Sequence, residues 1–196
     1  MADILNAAVV GYGHLGGFHA QKYYSLVNKG VKLVAIVDPL VEKAREKAAK
    51  FFPEVPVYAS VQECLKDRES KKLAPIHAAS VATTTDNHLA VGLELLQAGI
   101  HLLVEKPVAN NSAAAKKLVE AAEKAGLILA AGQVERFRAV EAFQGMKGRP
   151  YFIECHRLSP FPARSTDIDV ILDLMIHDID LMLAMVQSPI KSVHAA

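Results

Sequence analysis

The chain has 196 residues, 52% of them hydrophobic, which is enough for one well-cored domain plus part of a second at ~100–200 residues per domain. With 22 basic against 21 acidic residues the formal net charge is +1, and the basic side chains are scattered, so neither nucleic acid nor an anionic membrane surface is expected as the main partner. The two cysteines, Cys64 and Cys155, form no CxxC pair or metal-ligand spacing, no apolar run reaches the ~18 residues of a membrane span, and the start lacks a signal-peptide pattern; a cytoplasmic protein with reduced thiols and no metal is expected.

In chain order, 5–10 reads as a buried strand and 14–28 as a helix. Residues 32–37 form a strand rich in β-branched residues, followed by a charged helix over 41–51. A short strand at 56–59, a helix at 61–66, a strand at 76–82 and a helix at 87–98 ended by Gly99 come next. A strand at 101–104 precedes an alanine-rich helix over 113–124, with Ser112 as its expected N-cap and Gly126 beyond its end. Residues 127–134 make a sixth strand. Strands alternating with helices predict a doubly wound, mostly parallel α/β Rossmann sheet with helices on both faces, spanning 1–134. After that the pattern changes. Residues 149–158 alternate like a strand, 159–169 read as a loop, 170–186 as a strongly apolar helix and 190–194 as a strand. This reads as the first, truncated part of an α+β substrate and oligomerisation domain over 135–196, since two strands are too few for a stable sheet.

Gly11-Tyr12-Gly13-His14-Leu15-Gly16 follows the first strand and opens the first helix, and the second strand ends in Asp38. That is the context a dinucleotide-binding turn requires. Gly11 permits the tight turn, Gly13 lets the backbone approach a pyrophosphate and Gly16 allows close helix–strand packing, while the helix start, with His14 and Leu15, offers free N–H groups. Asp38 would accept hydrogen bonds from the adenosine ribose and repel a 2′-phosphate. No Arg or Lys follows it closely, so NAD is expected over NADP.

Two more features fall where ligands bind in such folds, beyond the carboxyl ends of the strands. Glu105-Lys106-Pro107 directly follows the fifth strand. An isolated lysine is ordinarily a surface residue, but one beside a positively charged nicotinamide would have its pKa lowered and could act as a base. On the apolar helix, Asp173 and His177 are four residues apart and share a face, with Asp180 a turn further on. Taken alone, that pair reads as a helix N-terminal acid and a satisfied core histidine.

The glycine-rich turn, Glu105-Lys106-Pro107 and Asp173-x-x-x-His177 occur in this order in the Gfo/Idh/MocA oxidoreductases, which the chain resembles over essentially its whole length. The resemblance implies that Lys106 and His177 are the acid/base candidates and that Asp173 orients the substrate or the histidine. It places Glu105, Lys106 and the threonine turn with Thr83 and His88 against the cofactor; Thr85 stands where that turn usually has proline. Gly132-Gln133-Val134-Glu135-Arg136-Phe137, Arg157-Leu158-Ser159-Pro160-Phe161 and 167–180 resemble the branch containing UDP-N-acetylglucosamine 3-dehydrogenases. The implied function is NAD-dependent oxidation of a secondary hydroxyl on a sugar nucleotide, at C3. Dehydrogenation of another sugar or polyol such as inositol, and a non-catalytic NAD-binding sensor or inactive fragment, are the alternatives. Arg157 and Arg164 are read either as grips for the substrate diphosphate or as surface or interdomain arginines. A homo-oligomer is expected for the full-length protein.

Overall fold

Apolar runs at the central strand positions build a sheet covered on both faces. The structure, a computed structural model, describes residues 4–143, 148, 150–157, 169–186 and 188–195. The strands are β1 (Leu5–Val10), β2 (Val31–Val37), β3 (Val57–Tyr58), β4 (Ala78–Val81), β5 (His101–Glu105) and β6 (Leu129–Gly132). They form one six-stranded sheet in the order β3-β2-β1-β4-β5-β6, and every pair is parallel. The crossovers are α1 (His14–Ser25), α2 (Val41–Ala49), α3 (Val61–Glu69), α4 (Thr85–Gln97) and α5 (Ser112–Ala125). This is the doubly wound α/β topology, in which strand order reverses between β1 and β4 and ligands bind at the carboxyl ends there.

Successive side chains of a strand point to opposite faces, and β1 divides its residues accordingly. Ala8 and Val10 join a core with Leu95 and Leu96 of α4 and Leu118 and Ala122 of α5. Val9 joins a second core with Ala20 of α1 and Ala44 and Ala48 of α2. The strands therefore read as near-continuous hydrophobic runs, as strands covered on both faces do. The small residues Ala7, Ala8 and Ala35, none more than 2% exposed, let the helices approach closely.

Element ends differ in detail from the sequence reading. The first helix stops at Ser25 and the chain continues through a 3-10 turn at Val27–Lys29. Asn111, not Ser112, caps α5: its side-chain oxygen accepts from the Ala114 N–H, and Gly126 closes the other end in the left-handed region. The sixth strand ends at Gly132, and a helix, α6 (Val134–Phe143), begins where the sequence reading had continued the strand through Val134.

The chain divides into two compact units, Met1–Gly132 and Gln133–Ala196. The second unit holds α6 and the apolar helix. That helix opens as a π-helical segment, Ile171–Met175, and runs on as α7 (Ile176–Val186). The Ile176 N–H donates to the Ile171 carbonyl, five residues back, and Asp169 caps the start by accepting from the Leu172 N–H. Residues 150–157 and 190–194 form no strand, in contrast to the sequence expectation. A strand exists only where a neighbour completes its ladder, and among the described residues these segments have none. Residues 158–168, including Arg164, lie outside the described residues.

The two thiols differ sharply. Cys64 is 2% exposed and burial pushes its pKa up to about 12, whereas Cys155 is exposed. A thiol reagent at neutral pH should label Cys155 alone in the native protein and both cysteines in denaturant, since the thiolate is the nucleophile; native labelling of Cys64, read by mass spectrometry, would contradict the packing described.

Candidate functional site

The site begins with the contact between α1 and the end of β1. Gly11 adopts φ +88°, and a Cβ there would stand 2.6–2.7 Å from the Ala82–Thr83 peptide at the end of β4. Only glycine meets both demands. At Gly16 a Cβ would lie 1.7 Å from the Gly11 carbonyl oxygen, so helix and turn touch backbone to backbone. Gly13 is different: a Cβ built on it meets nothing within 4 Å. Its missing side chain leaves space beside the turn, where the helix start presents His14 and Leu15, both exposed. No side chain caps α1, so its first-turn N–H groups are left for an anion.

Asp38, at the end of β2, ties the turn to its neighbour. One carboxylate oxygen accepts from the Tyr12 N–H at 2.7 Å and the other from the Leu40 N–H at 2.9 Å. A carboxylate offers about four acceptor positions, so these bonds leave capacity for ribose hydroxyls. A group that the sequence reading missed completes the turn. Lys47 of α2 donates to the carbonyls of Tyr12 and Gly13 at 3.2 and 3.0 Å, and its Nζ lies 4.2 Å from the centroid of the Tyr12 ring.

On the other side of the switch point, Thr83 follows β4 and Lys106 follows β5. Register places Val10 beside Val81 and Val81 beside Val104, so Gly11, Thr83 and the Glu105-Lys106-Pro107 turn emerge from three adjacent strand ends. Lys106 is partly buried, and its peptide bond to Pro107 is cis. His88 was expected to meet the cofactor. It is instead 1% exposed, with Nδ1 2.9 Å from the Pro107 carbonyl and Nε2 3.1 Å from the Thr83 carbonyl. It braces the threonine turn against the Lys106 turn from behind and has no open face toward a ligand.

Glu105 is likewise turned inward. Its Oε1 lies 2.7 Å from His19 Nε2, His19 Nδ1 lies 3.0 Å from Ser80 Oγ, and Ser80 Oγ lies 2.6 Å from the Tyr23 hydroxyl. A carboxylate only accepts, so Nε2–H donates to Glu105; Nδ1 then accepts from Ser80, which accepts from Tyr23. Burial raises the Tyr23 pKa, keeping it a donor. This chain ties α1, which carries the glycine turn, to the end of β5. Ser80 is 0% exposed on an otherwise apolar strand, and a hydroxyl there was the one sequence signal for such a network.

In the second unit Asp173 lies in the π-helical segment and His177 opens the second turn of the same helix; π-helical turns occur frequently at functional sites. His177 is 8% exposed and Asp173 is partly buried. Arg157, read as one of two candidate grips for a substrate diphosphate, donates from Nε and Nη2 to the two carboxylate oxygens of Asp178, at 3.0 and 2.7 Å. That bidentate pairing holds the Asp178 carboxyl below the usual range, chiefly through the Arg157 hydrogen bond, and takes up one of the two edges of the guanidinium. Arg136 of α6 makes the same two-armed contact with Asp180 of α7.

The residues of the first unit fit a dinucleotide. A glycine-lined space, an uncapped helix start and an acid at the end of β2 are the parts a pyrophosphate and a ribose require. Fold and site define a Rossmann dinucleotide-binding domain joined to a second unit that carries an acid and a histidine on one helix. The Gfo/Idh/MocA family model, described as an oxidoreductase family with an NAD-binding Rossmann fold, matches residues 5–133, and the chain belongs to this family. UDP-N-acetylglucosamine 3-dehydrogenase of Acidithiobacillus ferrooxidans is 38% identical over 91% of this chain and 53% of its own length. Inositol 2-dehydrogenase of Streptomyces avermitilis is 32% identical over 92% of this chain and 52% of its own. The solved structure of the Acidithiobacillus enzyme, GnnA, matches with a TM-score of 0.80 over 93% of this chain and 57% of that one. The chain thus spans about half the length of the curated relatives it matches.

The two glycines make separable predictions. Gly16→Ala forces a methyl into the Gly11 carbonyl and should cost roughly 1–3 kcal/mol of stability in denaturant unfolding, the usual range for overpacking. Gly13→Ala should leave the melting temperature near that of the wild type while weakening NAD about tenfold or more by calorimetry, about 1.4 kcal/mol. Unchanged NAD affinity in Gly13→Ala would place the dinucleotide elsewhere.

Proposed function

We propose that this protein is an NAD-dependent dehydrogenase that oxidises a secondary hydroxyl of a sugar nucleotide, of the UDP-N-acetylglucosamine kind, at C3. The supporting observation is the 38% identity to UDP-N-acetylglucosamine 3-dehydrogenase in a chain that carries Lys106 at the switch-point end of β5 and Asp173 and His177 on one helix. In this reading residues 1–134 are the NAD-binding domain and 135–196 belong to a substrate and oligomerisation domain. The full-length protein is a cytoplasmic homo-oligomer acting on a small molecule.

When bound, NAD would accept the hydride that leaves the carbinol carbon. Gly11, Gly13, Gly16 and the N–H groups of His14 and Leu15 would hold its pyrophosphate, Asp38 its adenosine ribose, and Thr83 would border the nicotinamide. Asp38 favours NAD over NADP, because a carboxylate repels a 2′-phosphate. Lys106 or His177 takes the hydroxyl proton as the carbonyl forms, and Asp173 orients the substrate or the histidine. Glu105 and His88 keep the Lys106 turn in place. Oxidation of inositol or a related polyol by the same residues is the second reading, favoured by the likeness to inositol 2-dehydrogenase.

NADH formation should be followed with UDP-N-acetylglucosamine, inositol and glucose in parallel. The expected result is turnover with the nucleotide sugar, cut ~10²–10⁴-fold by Lys106→Ala, the usual worth of general-base assistance. Turnover with inositol alone would select the second reading. NAD binding without turnover on any of the three would contradict both and mark a non-catalytic NAD-binding protein.

A further inference from the structure

The Lys47 ammonium sits behind the glycine turn on two consecutive carbonyls, those of Tyr12 and Gly13. Both peptides that carry them are trans. In a planar trans peptide the C=O and the following N–H point in opposite directions. Drawing the Tyr12 and Gly13 carbonyls toward α2 therefore turns the N–H groups of Gly13 and His14 to the other side. His14 opens α1, whose start no side chain caps, and a Cβ on Gly13 would meet nothing within 4 Å.

The lysine is held there from several directions. Its Nζ rests over the ring of Tyr12, a side chain 5% exposed whose ring edge meets Phe52. Gly17 leaves room for it: a Cβ at that position would stand 3.0 Å from the Lys47 Nζ. Asp38 meanwhile holds the Tyr12 N–H on the opposite side of the same residue. Tyr12 is thus gripped at its N–H by an anion, at its carbonyl by a cation and on its ring face by that same cation.

We propose that Lys47 is a positioning residue for the cofactor diphosphate: it fixes the Gly13 and His14 N–H groups toward the phosphates before the ligand arrives, without itself touching the ligand. The inference rests on the dinucleotide reading of the turn. Preorganised donors matter because a Tyr12 carbonyl turned toward the site would present its negative end to the phosphate, whereas the Gly13 carbonyl is also held by the Gly17 N–H at 3.2 Å. A cation at the back of the turn also adds a favourable field for a dianionic ligand.

The test compares a ligand that has the diphosphate with one that lacks it. ADP-ribose and adenosine are titrated against the 196-residue chain and against Lys47→Met, Lys47→Arg and Gly17→Ala, with melting temperatures measured in parallel. Lys47→Met should weaken ADP-ribose by about 10–100-fold, the range for losing charge-assisted hydrogen bonds, and adenosine by less than about twofold. Lys47→Arg, which keeps a cationic donor, should recover part of the loss. Gly17→Ala, which crowds the ammonium without removing it, should show a smaller loss of the same kind and serves if Lys47→Met fails to fold. Equal losses for both ligands would mean a merely structural lysine and overturn the proposal, as would unaltered ADP-ribose affinity in Lys47→Met or, should that variant not fold, in Gly17→Ala. Failure of the unmodified chain to bind ADP-ribose or NAD would overturn the dinucleotide reading itself and this proposal with it.

Discussion

At Gly16 the backbone of α1 lies so close to the end of β1 that a Cβ there would stand 1.7 Å from the Gly11 carbonyl oxygen. The contact admits no side chain, and it fixes where the helix starts and which way it runs. The positions of the other groups follow from it. His14 and Leu15 open the helix beside the space left by Gly13, and His19, less than a turn beyond Gly16, meets Glu105 at 2.7 Å. The same helix carries Tyr23 to Ser80. One glycine–glycine contact thus sets both the phosphate turn and the inner support of the Lys106 turn, two strands away in the sheet.

Around that contact, polar groups act mainly as fasteners. Asp38 and Lys47 hold Tyr12 from opposite ends. His88 joins the Thr83 and Pro107 carbonyls, and Glu105 closes on His19. His88, which is buried, and Glu105, which is half-buried, would be costly to bury alone, and each is offset by a partner within hydrogen-bond distance. The second unit carries its own fasteners, Arg157 on Asp178 and Arg136 on Asp180.

Much of the first unit was legible in the sequence because its signals are local. Apolar runs over 5–10 and 32–37 mark strands covered on both faces, and the alternation with helices fixes the parallel winding. The turn from Gly11 to Gly16 and the acid at Asp38 follow from spacing alone. What was not legible depended on distance in the chain. Lys47 lies nine residues beyond Asp38, and only the packing of α2 returns its ammonium to the turn. His88 looked like a ligand contact because of its place beside Thr83, yet a buried ring between two carbonyls is a brace. Gly132-Gln133 carries no strong stop signal, so the boundary between β6 and α6 is not visible in the sequence. The expected strands at 149–158 and 190–194 failed for a different reason: alternation marks a half-buried strand only where another strand pairs with it, and among the described residues none does.

If the turn between β1 and α1, with Asp38 beside it, is a site for NAD, the chain alone should bind that dinucleotide. Calorimetric titration of the chain with NAD and, separately, with NADP tests it most directly. The expected result is saturable one-to-one binding of NAD with NADP at least several-fold weaker, because the Asp38 carboxylate would face the 2′-phosphate. Absence of NAD binding, or tighter binding of NADP, would contradict it.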